Sequence, residues 1–358
     1  MACATRWGGL PVGQRLGSGP WIRAEQGAPR YRHRIERDSV WRPRLVKVAA
    51  GREFFERYGA AAQEIVPDLQ WALIEANGAW SQSPHDCDLI VYAADAYSNA
   101  FVEAVIQIPE PRWAHTEDAG IDGLFYDVMR EKQAALTHSP GANAPEVAEM
   151  AFSFVLWSAK HLGELREQQR EHRWQTLPLE SLSDKTVLIV GLGAIGSRLA
   201  TYAKAFGMRV LGIRRSTAGV ANVDRQGTMA DLSAFLPEAD FVVLAIPIAP
   251  EVVGLIDQRA LALMKQTATL INVGRGALVD IPALKQALQG GHLRHFCTDV
   301  LPTEPWPADD DLWDRPDVLI TPHNASSSPL YMKRVGDLWI ENLRRYVHGG
   351  DAMLHRAF

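Results

Sequence analysis

The run from Thr186 to Ser216, TVLIVGLGAIGSRLATYAKAFGMRVLGIRRS, constrains the fold more than any other stretch of the chain. Val187 to Val190 is continuously apolar and largely β-branched, as a strand buried on both faces requires. Gly191, Gly193 and Gly196 follow with GxGxxG spacing, and Ile195, Leu199, Ala203 and Phe206 then recur at helical intervals. Gly207 ends that pattern, and Arg209 to Ile213 reads as a second buried strand. Strand, glycine turn, helix, strand is the βαβ unit of a dinucleotide-binding fold. Its glycines permit a tight turn, close approach of backbone to a pyrophosphate, and close packing of helix on strand. The amides that open the helix, at its positive dipole end, can hold the phosphates.

The same apolar signature predicts further strands of that sheet at Asp240 to Ile246, Thr269 to Val273, His295 to Val300 and Val318 to Thr321. With a short helix over Pro282 to Leu288, they make a parallel sheet of about six strands. Upstream, strands at Leu45 to Ala49, Trp71 to Glu75, Asp88 to Tyr92 and Arg112 to Thr116 outline a smaller βαβ-type domain. Helices are expected there at Phe54 to Ile65 and Asn99 to Ile106. One long helix from Glu146 to about Arg173 would be buried over its first half and end as a charged arm. The apolar period of Pro329 to Val347 predicts a closing helix that packs back on the first domain. The expected division is 45–143 with 329–358 around an inserted 144–328. Met1 to Arg44, with nine arginines against three acids and no apolar period, is expected to be a disordered extension.

At 358 residues the chain can bury two full cores. A net charge of -5 weighs against nucleic acid as a partner, and no apolar run reaches the length of a membrane span. Cys3, Cys87 and Cys297 are odd in number and widely spaced, which suggests neither a disulfide framework nor a zinc site and favours a reducing, cytoplasmic setting. His292 and His295 stand at i, i+3 but lack an evident third ligand, so no metal is expected.

Three spots follow strands of the nucleotide domain, on the sheet edge where such folds bind ligands. Arg275 stands between Gly274 and Gly276, where a guanidinium can approach a carboxylate bidentately. Asp299 and Glu304 flank a strand end, and His323 follows the last strand. Arginine, glutamate and histidine on one edge beside a dinucleotide site suit reduction of a carbonyl next to a carboxylate. Arg275 would hold the carboxylate, His323 would supply the proton, and Glu304 would orient the histidine and raise its pKa.

In order along the chain stand AGID (119–122), GANAPEVAE (141–149), GLGAIG (191–196), INVGRGALVD (271–280), DVLPTEPWP (299–307) and ITPHNAS (320–326). From roughly Leu45 onward the chain thereby resembles the D-isomer-specific 2-hydroxyacid dehydrogenase family, and its EPWP stretch with Leu312 and Trp313 is similar to the glyoxylate/hydroxypyruvate reductase branch. The resemblance implies an α/β fold of two doubly wound parallel-sheet domains, with a Rossmann cofactor domain inserted into a smaller flavodoxin-like substrate domain. It implies Arg275, Glu304 and His323 as catalytic residues. Ala119 and Gly120 match the loop whose amides help Arg275 bind substrate. Gly191, Gly193, Ala194, Ile195, Gly196, Ile246, Val273, Gly274 and Asp299 fall at cofactor-contact positions. The charged arm from Gly163 to Arg173 matches the family's dimerisation arm and implies a homodimer. The implied reaction is hydride transfer from a nicotinamide cofactor to a small 2-oxo acid, yielding the D-2-hydroxy acid.

Two departures bear on specificity. Where NAD-preferring members carry an acid at the end of the second nucleotide-domain strand, this chain has Arg214, Arg215 and Ser216. Two guanidiniums and a hydroxyl suit a 2′-phosphate, so NADPH is expected to be preferred and NADH to be possible. Glu117 and Asp118 stand beside the substrate loop, where acids disfavour a bound carboxylate unless they point away. The rival functions are an NAD-dependent dehydrogenase working oxidatively and a non-catalytic, nucleotide-sensing corepressor-like protein.

Overall fold

The continuous apolar runs become strands buried on both faces, and they sort into two parallel sheets. The structure is a computed structural model that describes residues 46–358 except 94, 95, 97, 119, 122, 217, 350 and 351. The expected extension 1–44, Leu45, Cys3 and the substrate-loop residue Ala119 lie outside the described residues.

The smaller unit comprises 46–139 and Lys333–Phe358. Its elements are β1 (Lys47–Gly51), α1 (Arg52–Ile65), β2 (Gln70–Ile74), β3 (Leu89–Tyr92), α2 (Asn99–Val105), β4 (Trp113–Thr116), α3 (Leu124–Glu131) and β5 (Ala135–Thr137). The strand order is β2-β1-β3-β4-β5 with every pairing parallel, the flavodoxin-like arrangement. Side chains alternate across the sheet, so Ile90, Ala114 and Leu136 join Phe101, Val105, Phe125 and Met129 of α2 and α3 in one core. Neither α3 nor β5 is expected from sequence: β5 has only three residues, and α3 buries only Phe125, Tyr126 and Met129 of its eight.

The larger unit is Pro140–Met332. It runs through α4 (Ala144–Ala159), α5 (Leu162–Arg170), β6 (Thr186–Val190), α6 (Ala194–Ala205), β7 (Arg209–Ile213), β8 (Arg225–Gly227), α7 (Leu232–Phe235), β9 (Phe241–Leu244), α8 (Gln258–Leu263), β10 (Thr269–Asn272), α9 (Ile281–Gln289), β11 (His295–Thr298) and β12 (Val318–Ile320). The order β8-β7-β6-β9-β10-β11-β12 reverses direction beside β6, the doubly wound topology. Period-two alternation builds both cores: Val187 and Ile189 face the cluster containing Val147, Ala151 and Leu199, while Leu188 and Val190 face that of Leu261, Leu284 and Leu288. The sheet has seven strands rather than about six. The added β8, Arg-Gln-Gly, is a polar edge strand with no apolar run to announce it.

The single helix expected from Glu146 to Arg173 is two helices. His161 adopts a left-handed conformation (φ 48°) between α4 and α5. A Cβ on Gly163 would lie 2.7 Å from the Trp157 ring, so α5 folds closely against the end of α4. The last helix, α10 (Pro329–Val347), returns to the smaller unit as its pattern predicts: Trp339 packs on Phe54, Trp71 and Trp113 at ring separations of 5.2, 5.8 and 6.3 Å. The units divide four residues outside each boundary expected from sequence. Gly141 packs against Ala194, and Ser328 Oγ donates to Glu146 Oε1 at 2.8 Å, tying both crossing segments to the larger unit.

Candidate active site

The C-terminal ends of β6, β9, β10, β11 and β12 carry the residues singled out in the sequence. After β6, Gly191 has φ 110°, and a Cβ there would meet Ala245 O at 2.5 Å. A Cβ on Gly196 would lie 1.9 Å from Gly191 O, so only glycine lets α6 pack on the turn. A Cβ on Gly193 meets nothing within 4 Å. Two glycines thus serve packing and one faces open space at the opening of the twelve-residue α6, a cradle that fits a pyrophosphate. Ala194 is exposed there and Ile195 half-buried. Ile246, after β9, contacts both neighbouring turns: Cβ atoms on Gly191 and Gly274 would fall 2.6 Å from Ile246 Cγ2 and 2.7 Å from Ile246 O. The structure therefore brings Gly191, Ile246 and Gly274 together, with Val273 buried beneath.

Asn272 ends β10 and shapes the arginine turn. Its Oδ1 accepts from Gly274 N at 3.1 Å, and its Nδ2 donates to Arg275 O at 2.9 Å. A Cβ on Gly276 would lie 2.0 Å from Leu301 C, so this turn packs directly on the loop that carries Glu304. Glu304 Oε1 accepts from Leu301 N at 2.9 Å, and Glu304 Oε2 meets His323 Nδ1 at 2.7 Å. His323 is left-handed at φ 50°. Asp299, 3% exposed, braces that turn: its carboxylate accepts from Thr321 Oγ1 at 2.5 Å and from Asn324 N and Ala325 N at 3.0 Å, while its carbonyl accepts from His323 N at 2.8 Å. Arg275, Glu304 and His323 line one cavity of about 260 Å³ with Ile248, Gly276 and Leu301.

The charges reinforce one another. The bond to Glu304 raises the His323 pKa above its ordinary value against the opposing effect of burial, with further support from Asp299. Burial pushes Glu304 up, but its bond to His323, the Leu301 amide and the nearby Arg275 charge hold it below the usual range. Burial outweighs three hydrogen bonds at Asp299 and raises its pKa.

At the end of β7, Arg214 is half-buried and Arg215 and Ser216 are exposed. Arg214 Nη1 donates to Ala218 O at 3.4 Å. Neither arginine forms an ion pair among the described residues. In the smaller unit, Gly120 follows β4 and is half-buried. Asp118 accepts from Tyr126 OH, and its carbonyl accepts from Ser139 N at 3.1 Å, so this acid is engaged within its own unit. Glu117 is buried. His295 Nδ1 pairs with Ser158 Oγ at 2.8 Å, and among the described residues no group of three or more His, Cys, Asp or Glu is arranged to hold a metal ion.

Sequence patterns gave no role to Asn272 and Thr321, whose side chains brace the turns of the site. An asparagine closing a strand is a turn signal that points to the first of these.

The fold and these turns define a nucleotide-binding α/β protein. The profile described as "D-isomer specific 2-hydroxyacid dehydrogenase, NAD binding domain" matches residues 152–325. A glyoxylate reductase from Korarchaeum cryptofilum is 32% identical over 74% of this chain and 81% of its own length. A D-3-phosphoglycerate dehydrogenase from Methanocaldococcus jannaschii is 30% identical over 64% of this chain, but the match spans only 44% of that protein. The crystal structure of a D-isomer specific 2-hydroxyacid dehydrogenase from Xanthobacter autotrophicus Py2, in complex with NADPH and MES, is 26% identical with a TM-score of 0.71, covering 88% of this chain and 98% of that one. The chain belongs to the D-isomer specific 2-hydroxyacid dehydrogenase family, whose members are NAD(P)-dependent.

Proposed function

We propose that the chain reduces a small 2-oxo acid of the glyoxylate or hydroxypyruvate kind to the D-2-hydroxy acid, with NADPH preferred over NADH. The observation that carries this is the 2.7 Å contact of His323 Nδ1 with Glu304 Oε2 in a cavity that Arg275 also lines. Arg275 binds the carboxylate, and His323, oriented through Nδ1, gives a proton from Nε2 to the carbonyl oxygen. Glu304 stabilises the imidazolium, the form that reduction requires of His323. When bound, the reduced nicotinamide supplies the hydride to the keto carbon. Gly193, Ala194 and Ile195 would hold its pyrophosphate, Ile246, Val273 and Gly274 would line its path, and Asp299 would stand beside the nicotinamide. Ala119 and Gly120 are assigned to the substrate carboxylate by the family motif alone.

Arg214, Arg215 and Ser216 support the NADPH preference, since no carboxylate stands in that turn to repel a 2′-phosphate. A homodimer through the arm around α5 belongs to the same proposal, as does a reducing, cytoplasmic setting, which the free Cys87 and Cys297 support. No helix among the described residues is long and apolar enough to cross a membrane. The test is the loss of reduced-cofactor absorbance with glyoxylate and with hydroxypyruvate, for NADPH and NADH separately. Turnover of at least one acid with higher kcat/KM for NADPH is expected. Absence of turnover with both acids refutes the substrate class, and equal or NADH-favoured efficiency refutes the cofactor preference.

A further inference from the structure

We infer that Gln226 sets the cofactor preference of this chain as a positioning residue: its side-chain amide holds the carbonyls of Ser216 and Ala218, and so keeps the neighbouring Arg214 and Arg215 placed for a 2′-phosphate, without itself touching the phosphate. The inference rests on the NADPH preference proposed above and assigns it a structural cause.

Gln226 lies in β8, the edge strand, and pairs with Gly212 of β7. Its Nε2 donates to Ser216 O at 3.1 Å and to Ala218 O at 3.0 Å. Two carbonyls two residues apart therefore consume both hydrogens of one amide, an arrangement only Gln or Asn can supply, and Asn is one methylene shorter. Ala218 O also receives Arg214 Nη1 at 3.4 Å, so the glutamine and the first arginine are tied to one atom. Backbone pairing adds Arg214 N to Gly227 O at 3.1 Å, which locks the start of the turn to the same strand. The far end of the segment is anchored separately. Asn222 Nδ2 donates to Thr201 Oγ1 at 3.1 Å, Lys204 Nζ donates to Asp224 at 3.0 Å, and Asp224 Oδ2 accepts from Val210 N at 2.7 Å. Between these anchors Gln226 braces both Ser216 O and Ala218 O, and Ala218 N donates to Ser216 Oγ at 3.4 Å.

The neighbouring cations differ in their partners. Arg209 and Arg225 share the carboxylate of Glu238, at 2.9 and 2.6 Å. Arg214 and Arg215 can both meet one phosphate only while this segment holds them in place. A 2′-phosphate is held by charge-assisted bonds whose strength depends on donor placement. The ribose hydroxyls of NAD lack that charge and lose much less when the turn loosens.

The test uses the full-length chain and isothermal titration with NADP⁺, NAD⁺ and adenosine 2′,5′-bisphosphate. In Gln226→Leu, the affinity for NADP⁺ and for the bisphosphate should fall about tenfold, as expected for losing the bonds that preorganise one charged contact. NAD⁺ affinity should stay within about twofold, and kcat at saturating NADPH should not change. Gln226→Asn, which keeps the amide but falls short of the carbonyls, should show the same selective loss and guards against a variant that fails to fold. Equal losses for NADP⁺ and NAD⁺ would overturn the inference, because they would mean the residue serves the strand or the adenine. Unchanged NADP⁺ affinity would overturn it as well. If the unaltered chain binds NAD⁺ as well as NADP⁺, the preference itself is absent, and that failure is visible before any variant is made.

Discussion

Replacing Glu304 with Gln tests the electrostatic core of the proposed mechanism. The amide keeps the shape and can still accept from Nδ1–H, but it removes the negative charge 2.7 Å from the ring nitrogen. Unit charges about 4 Å apart interact by ~1 kcal/mol in water and ~4 kcal/mol at an effective dielectric of about 20. The His323 and Glu304 side chains are 42% and 36% exposed, so solvent screening places the effect near the lower end, at roughly 1–2 kcal/mol. That corresponds to about one pH unit. The sign follows from the role of the group. In reduction His323 must be protonated, so the rate falls as pH rises through its pKa, which Glu304 holds above the ordinary value of about 6.5. Without the carboxylate, the falling limb of kcat/KM for the 2-oxo acid should move about one unit to lower pH, measured from pH 5 to 9 at saturating NADPH. A limb that stays in place or moves upward would refute the pairing as the source of the raised pKa.

Arg214→Asp should reverse the cofactor preference, since it replaces a charge-assisted bond worth ~1.5–3 kcal/mol with a repulsion. Steady-state kcat/KM for both cofactors at two salt concentrations checks this, with the preference of the unaltered chain weakening as salt rises. In Gly196→Ala the new Cβ would sit 1.9 Å from Gly191 O, so α6 must move off its turn. Stability should fall by about 1–3 kcal/mol and NAD⁺ and NADP⁺ binding should weaken alike, read by denaturant melts and titration. In the smaller unit, burial first and then the neighbouring His138 and His355 push the pKa of the fully buried His115 down to about 3. Its Nδ1 lies 2.8 Å from Thr137 Oγ1, so the neutral ring is hydrogen-bonded. The stability it supports is complete above about pH 6.5 and is lost as pH falls towards its folded pKa, by about 2 kcal/mol between pH 8 and 5. His115→Gln should flatten that part of the urea-midpoint profile, and an unchanged slope would reject the assignment.

Much of the fold was legible because its strands are buried on both faces. Val187–Val190 and Phe241–Leu244 are short apolar runs bounded by turn signals, and the glycine spacing marked the turn from the first into α6. The candidate catalytic residues were legible as types at strand ends, and the structure sets Arg275, Glu304 and His323 around one cavity. Features that depend on one residue or on distant pairing were hidden. The left-handed His161 splits a helix without altering its hydrophobic pattern, and β8 is a strand only because β7 offers it an edge. The braces were equally hidden: Gln226 and Asp299 are separated in sequence from the turns they hold, and local pattern carries no record of such partners. Asp118 illustrates the converse. Its charge looked hostile to a carboxylate, yet Tyr126, eight residues on, engages it within its own unit.

The most direct test compares the unaltered chain with His323→Gln, measuring 2-oxo-acid-dependent NADPH oxidation alongside NADPH affinity by fluorescence titration. General acid–base groups contribute about 10²–10⁴-fold, so the variant should lose at least two decades of kcat while binding NADPH within about twofold of the original. Near-normal turnover by His323→Gln would contradict the account, because the proton would then come from a group other than the histidine that Glu304 holds.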